Sequence, residues 1–300
     1  MKQTEPEYNL LPWIQINKLS SRMLSKNPNA VSYLEKNPTK IDWHYLSSNT
    51  NPNAIDMIKK NKQENICWWD LCKNPKAVYL IEEQLDKLYL LQKKIDPIYL
   101  DWDWMNWENL FQNPNAIHII EKHLDDFDET YGDDCMLFYL SNNPNAIHII
   151  EKNLDKLDFD CWRLLSKNPN ALDLLEKNHD KINWSYLSQN PNALDLLEKN
   201  QDKIDWRELS VNPNALYLLE KNLDKVDWSY LSKNPNALEL LEKNQDKINW
   251  HEFSANPSIF EMDYTTIKKQ MFNSYFEELM MVSLHPIRIS AWLDAGFEDF

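Results

Sequence analysis

The side chains able to do chemistry are few and scattered. Cys67, Cys72, Cys135 and Cys161 have no regular spacing. Cys67 and Cys72 stand five apart, which matches no common zinc knuckle, and the histidines nearest in sequence complete none. These cysteines read as reduced thiols in a core. His118 and His148 share one position in neighbouring copies of a repeat and could meet across a stack, as a metal pair or a proton switch. They lack carboxylate or cysteine partners in the pattern. Asp173 and Asp195 are neighbours for the same reason and suit a solvated charged face better than a glycosidase pair. In the acidic run Asp125 to Asp134, counting from Asp126, Gly132 falls at position seven and Leu137 at twelve. A calcium loop needs glycine at six and glutamate at twelve, so the run reads as a solvated loop. No phosphate loop, Gly-x-Ser-x-Gly elbow or His-Glu-x-x-His helix occurs. The expectation is a protein that is not an enzyme and takes no cofactor or metal.

Composition narrows the partners. Across 300 residues, Lys plus Arg total 32 and Asp plus Glu total 47, so 32 − 47 = −15, a charge that repels nucleic-acid backbones and anionic membranes. No apolar run is long enough for a membrane span, and Met1 to Leu10 lacks the basic and apolar regions of a signal peptide. The chain reads as soluble and not secreted. Only two glycines occur, which disfavours tight hairpins and favours helix.

The elements that position these residues recur. Proline after asparagine stands at Pro28, Pro52, Pro75, Pro114, Pro144, Pro169, Pro191, Pro213, Pro235 and Pro257, marking ten units. The last four intervals are 22 residues each, and two long ones, of 39 and 30, carry insertions near 88–104 and 125–134. One unit, Asp205 to Val226, predicts two short helices. The first opens at Asp205, in a capping box with Glu208, and carries Trp206 and Leu209 on one face. The second starts at Asn212 and Pro213, buries Ala215, Leu216, Leu218 and Leu219, and ends at Asn222 in a left-handed cap. The tryptophan recurs as Trp43, Trp68, Trp107, Trp162, Trp184, Trp206, Trp228 and Trp250, which predicts a core rib. The fold class expected is all-α: an α-solenoid of ten two-helix repeats over residues 1–263, followed by a helical C-terminal cap over 264–300. With helices about 10 Å apart, such a stack is an open ribbon on the order of 100 Å long. Leu11 to Ile14 is expected to cover the exposed face of the first unit.

Comparing the units with one another separates constant positions, which hold the fold, from varied ones, which face outward. Two residues after the repeated alanine the chain reads Ser32, Asp56, Tyr79, His118, His148, Asp173, Asp195, Tyr217 and Glu239. The two residues after each tryptophan, such as His44 and Tyr45 or Trp69 and Asp70, vary as well. A long, acidic, tyrosine-bearing face suits a basic protein partner, bound at Asp56, Tyr79, His118, His148, Asp173, Asp195, Tyr217 and Glu239. The expected function is a non-enzymatic scaffold. Reading of RNA by repeat helices is an alternative that the acidic charge opposes.

Units such as WSYLSKNPNALELLEKNQDKINW resemble the Asn-Pro-Asn-Ala repeats abundant in proteins of giant DNA viruses of the mimivirus type. The tail HPIRISAWLDAGFEDF and the opening LLPWIQINKL are similar to segments of the same proteins. The resemblance implies a viral protein in the host-cell cytoplasm or the virion, either an adaptor for a viral or host protein or a component of the particle. It hands over no catalytic residues.

Overall fold

A computed structural model describes residues 8–61, 67–92, 106–122 and 132–265, together with 268, 269, 272, 276, 280 and 281. The chain is mostly helical, 65% helix, in many short helices with periodic contacts between neighbours. It is not wholly helical: Tyr8–Leu10 pairs antiparallel with Phe260–Met262, in the register Tyr8 to Met262 and Leu10 to Phe260. The chain divides into two compact units, Pro12–Ile259 and a second made from Met1–Leu11 with Phe260–Phe300. In the second, the described residues after the strand are helical, and Phe272 and Phe276 stack with ring centroids 6.0 Å apart. The calcium-type spacing at 126–131, most of the insertion near 88–104 and the tail from 282 lie outside the described residues.

Within Pro12–Ile259 the repeats are helix pairs, except that in the tenth the second helix is reduced to the 3-10 turn Pro257–Ile259, with details that differ from the sequence reading. In the unit described above the first helix is Trp206–Leu209 and the second Leu216–Lys221. Asp205 caps the first, its Oδ1 accepting from the amides of Arg207 and Glu208. The reciprocal half of the capping box is absent, because the Asp205 amide donates to Ser188 Oγ at 3.1 Å and Glu208 accepts from Gln189 Nε2. The second helix starts three residues later than expected. Asn212 Oδ1 accepts from the Asn214 amide at 3.0 Å, so Asn-Pro-Asn forms an Asx turn ahead of the helix. Asn222, with φ −133°, is not left-handed; its Nδ2 instead donates to Leu218 O, four residues back, at 2.9 Å. This side-chain bond satisfies a carbonyl that the helix end would leave open.

Leu209, Ala215, Leu218 and Leu219 are buried, as the pattern required, whereas Leu216 is only half-buried; Val226 is buried as well. The tryptophans are not a buried rib. Trp162 is buried, and Trp43, Trp68, Trp107, Trp184, Trp206, Trp228 and Trp250 are half-buried. A lysine ammonium from the following connection lies over the ring: Lys203 over Trp184, Lys225 over Trp206 and Lys247 over Trp228, each 4.3 to 4.4 Å from the centroid. The indole thus packs with its edge inward and its face covered by a cation.

Among the described residues the fully buried polar groups are one asparagine in each unit and, in eight units, the serine two residues before it, such as Ser210 and Asn212. Asn212 Nδ2 donates to Ser188 O at 3.0 Å and Asn190 O at 2.9 Å, both in the preceding unit. The same two bonds recur at Asn49, Asn74, Asn113, Asn143, Asn168, Asn190, Asn234 and Asn256. Every amide hydrogen of these buried side chains is used, as burial of an amide demands. The second asparagine joins in, Asn214 Nδ2 donating to Pro191 O at 2.9 Å. In the second unit the ladder residue is Asn49, with Thr50 where proline stands elsewhere. Pro52 lies three residues beyond Asn49 and opens the helix Pro52–Lys60, so the repeat there is displaced by two residues from the Asn-Pro marker.

The ladder has no free end. Asn27 Nδ2, in the first unit, donates to Ser254 O at 3.2 Å and Asn256 O at 2.8 Å, in the tenth. Asn29 Nδ2 donates to Pro257 O at 2.9 Å, and the Ser20 amide to Ser254 Oγ at 2.8 Å. Lys18 lies 4.7 Å over the Trp250 ring, and Trp13 stacks on Phe253 at 5.9 Å. The asparagine ladder bonds, the amide bond to serine and the lysine over tryptophan, which link successive units, thus recur between the last and the first. The open ribbon with covered ends is therefore corrected: Trp13 and Lys18 pack on the tenth unit, and the first unit bonds to it directly. Lys167 carries a lowered pKa, from burial first and from the charge of Lys73 second, although the two stand three units apart along the chain. In an extended stack that separation would be about 30 Å, well beyond the screening length in physiological salt.

Candidate functional site

The second helices present the varied column on their exposed side. Asp56, Tyr79, His118, His148, Asp173, Asp195, Tyr217 and Glu239 are all exposed, and Ser32 is half-buried. The reason is local: each follows the buried alanine by two residues, so it points away from the stripe formed by residues such as Ala215, Leu218 and Leu219.

The two histidines do not meet. His118 Nε2 lies 2.7 Å from Glu82 Oε1 and His148 Nε2 2.9 Å from Glu121 Oε1, each glutamate belonging to the preceding unit. The stack places position two of one helix beside position five of the one before, which separates equivalent residues. Tyr79 is covered by Lys59 at 4.3 Å and Tyr217 by Lys221 at 5.6 Å. Asp173, Asp195 and Glu239 have no ion pair among the described residues. Each is followed three residues later by exposed Glu176, Glu198 or Glu242 and four residues later by exposed Lys177, Lys199 or Lys243, so these helices show two carboxylates and one lysine on one face.

The column after each tryptophan is only partly free: Trp69 is exposed, as expected, but at several junctions the first of these residues bridges to the residue capping the next unit's first helix. Ser185 Oγ donates to Asp205 Oδ2 at 2.7 Å, Arg207 Nε lies 4.0 Å from Asp227 Oδ2, and Asn249 Nδ2 donates to Ser229 Oγ at 2.7 Å. At the junction of the second and third units the same geometry sets His44 against Cys67 and Asp70. The His44 Nε2 to Asp70 Oδ2 distance is 3.3 Å, and one ligand atom from each of the three lies within 4.8 Å of the others. Sequence spacing missed this group because His44 and Cys67 meet only through the stacking of units.

The remaining thiols differ in setting. Burial pushes Cys72 and Cys161 up to about 11. Cys72 stands where eight other units carry the buried serine, and Asn106 N–H faces its sulfur. Cys135 is half-buried, with burial again raising its pKa. No family model, curated protein or solved structure matches the chain.

Proposed function

We propose that the ten units form a closed α-solenoid acting as a non-enzymatic scaffold, which holds a basic segment of a viral or host protein along the exposed column of its second helices. The observation that carries this reading is the set of carboxylates without an ion pair among the described residues, Asp173 with Glu176, Asp195 with Glu198 and Glu239 with Glu242, on the second helices of the sixth, seventh and ninth units. Carboxylates held on a rigid frame, in excess over the lysines of the same helices and engaged in no ion pair among the described residues, attract a basic chain and set its register more than they add raw affinity. Tyr217, set between the second and third of these pairs, supplies a rigid amphipathic contact of the kind interfaces favour. The same charge disfavours a phosphate backbone. The likeness of the repeat to giant-virus proteins supports a role in the infected cell.

The test is recovery of partners by the tagged full chain from infected-cell lysate, beside a variant carrying Asp173→Lys, Asp195→Lys and Glu239→Lys. A basic partner captured by the native chain, released by moderate salt and lost in the variant, supports the reading. Equal recovery by a folded variant, judged by far-UV circular dichroism, sinks it.

A further inference from the structure

We propose that His44, Cys67 and Asp70 form a divalent metal site, of the type that takes zinc, joining the second and third units. The stack can bring the residue after a tryptophan to the cap residue of the next first helix, and at three other junctions this contact is an ordinary hydrogen bond or ion pair: Ser185 with Asp205, Arg207 with Asp227 and Ser229 with Asn249. Here alone, among the described junctions, it pairs an imidazole with a thiol, and a carboxylate from the first turn joins them. Ligands on a tetrahedral zinc ion at about 2.0 to 2.3 Å stand roughly 3.3 to 3.8 Å apart. The His44 to Asp70 distance of 3.3 Å is already of that size, and the 4.8 Å limit on the trio leaves side-chain rotation to do the rest.

A second observation points the same way. Ser20, Asp42, Asn106, Asp158, Asn183, Asp205, Asp227 and Asn249 each accept an amide bond from the first turn of the helix they cap. Cys67 occupies the same position but supplies no oxygen to accept such a bond, offering only its sulfur, a weak acceptor, to the amides of Asp70 and Trp69. The helix forgoes a favourable cap for a side chain whose particular ability is to ligate as a thiolate. His44 is exposed and Cys67 and Asp70 are half-buried, so an ion can enter from solvent.

On binding, the Cys67 thiol releases its proton to solvent, His44 binds as neutral imidazole through Nε2, and Asp70 binds as carboxylate. Thiolate and carboxylate together cancel a charge of two. The combination of nitrogen, sulfur and oxygen donors suits zinc and its cobalt substitute better than calcium or magnesium, which take oxygen alone. Three protein ligands leave the fourth position to water.

The experiment is titration of the metal-free full chain with cobalt(II), read by the thiolate-to-cobalt charge-transfer band, then displacement by zinc. One equivalent is expected, and zinc is expected to slow alkylation of Cys67 at least tenfold while leaving Cys135 unchanged. Cys67→Asn restores the cap found in other units and so keeps the fold; it must abolish the band, and His44→Ala must weaken binding at least tenfold. Absence of the band in the native chain, or its survival in Cys67→Asn, overturns the proposal.

Discussion

Closure of the repeat rests on Asn27, and its replacement by alanine gives a quantitative test. Asn27 makes three buried or half-buried bonds: to Ser254 O at 3.2 Å, to Asn256 O at 2.8 Å, and from the Asn29 amide at 3.0 Å. Asn212, inside the array, makes the same three at 3.0, 2.9 and 3.0 Å. Each bond is worth about 1 kcal/mol net, and two buried carbonyls would lose a donor, so Asn27→Ala should cost about 2–5 kcal/mol. Asn212→Ala should cost the same within about 1 kcal/mol, since the environments are equivalent. In an open stack the first unit would have no preceding unit to bond, and Asn27→Ala would cost no more than about 0.5 kcal/mol, the usual effect of an exposed substitution. Urea unfolding followed by tryptophan fluorescence and far-UV circular dichroism measures both. A loss below about 0.5 kcal/mol for Asn27→Ala beside a full loss for Asn212→Ala would refute closure.

Trp206→Ala should destabilise by about 2–3 kcal/mol, less than for a fully buried tryptophan, and Lys225→Ala by about 0.5–1 kcal/mol, with a double-mutant cycle in urea reporting their coupling. Cys72→Ser places in the third unit the residue that eight others already use, and should shift the urea midpoint little; a large loss would contradict the equivalence of the units. Cys72 and Cys161 remain protonated in the folded chain up to about 11 but ionise near 9.0 when unfolded, so the folded state binds more protons in that window. Stability should therefore fall as pH rises from 9 to 11, by up to about 3 kcal/mol per thiol, and a Cys72→Ser, Cys161→Ala variant should lose that part of the slope. Lys167 has the opposite linkage: its pKa is lowered by burial and then by Lys73, so its charge opposes folding below that pKa and the penalty fades as pH rises towards 10.5. Lys167→Gln should raise the urea midpoint at neutral pH, and a lowered midpoint would contradict the crowding of these ammonium groups.

The repeat and its helix pair were legible in the chain because they depend on local pattern. A 22-residue period, Asp or Asn before six of the eight repeat tryptophans and the Ala-Leu spacing of the second helix carry that pattern. The exposed column at Asp56, Tyr79, His118, His148, Asp173, Asp195, Tyr217 and Glu239 follows from the same pattern. The buried serine stands two residues before the Asn-Pro asparagine in seven of ten units, a constant polar residue that the sequence analysis did not single out. Its role as acceptor for the next unit's amide, and the role of asparagine as a rung between units, needed the stack itself. Tertiary structure also decided closure. The rotation from one unit to the next is small and set by packing, and only its sum over ten units brings Asn27 to Asn256, 229 residues away in sequence. His44, Cys67 and Asp70 meet for the same reason: units that are locally alike can place unlike residues together only once they are stacked.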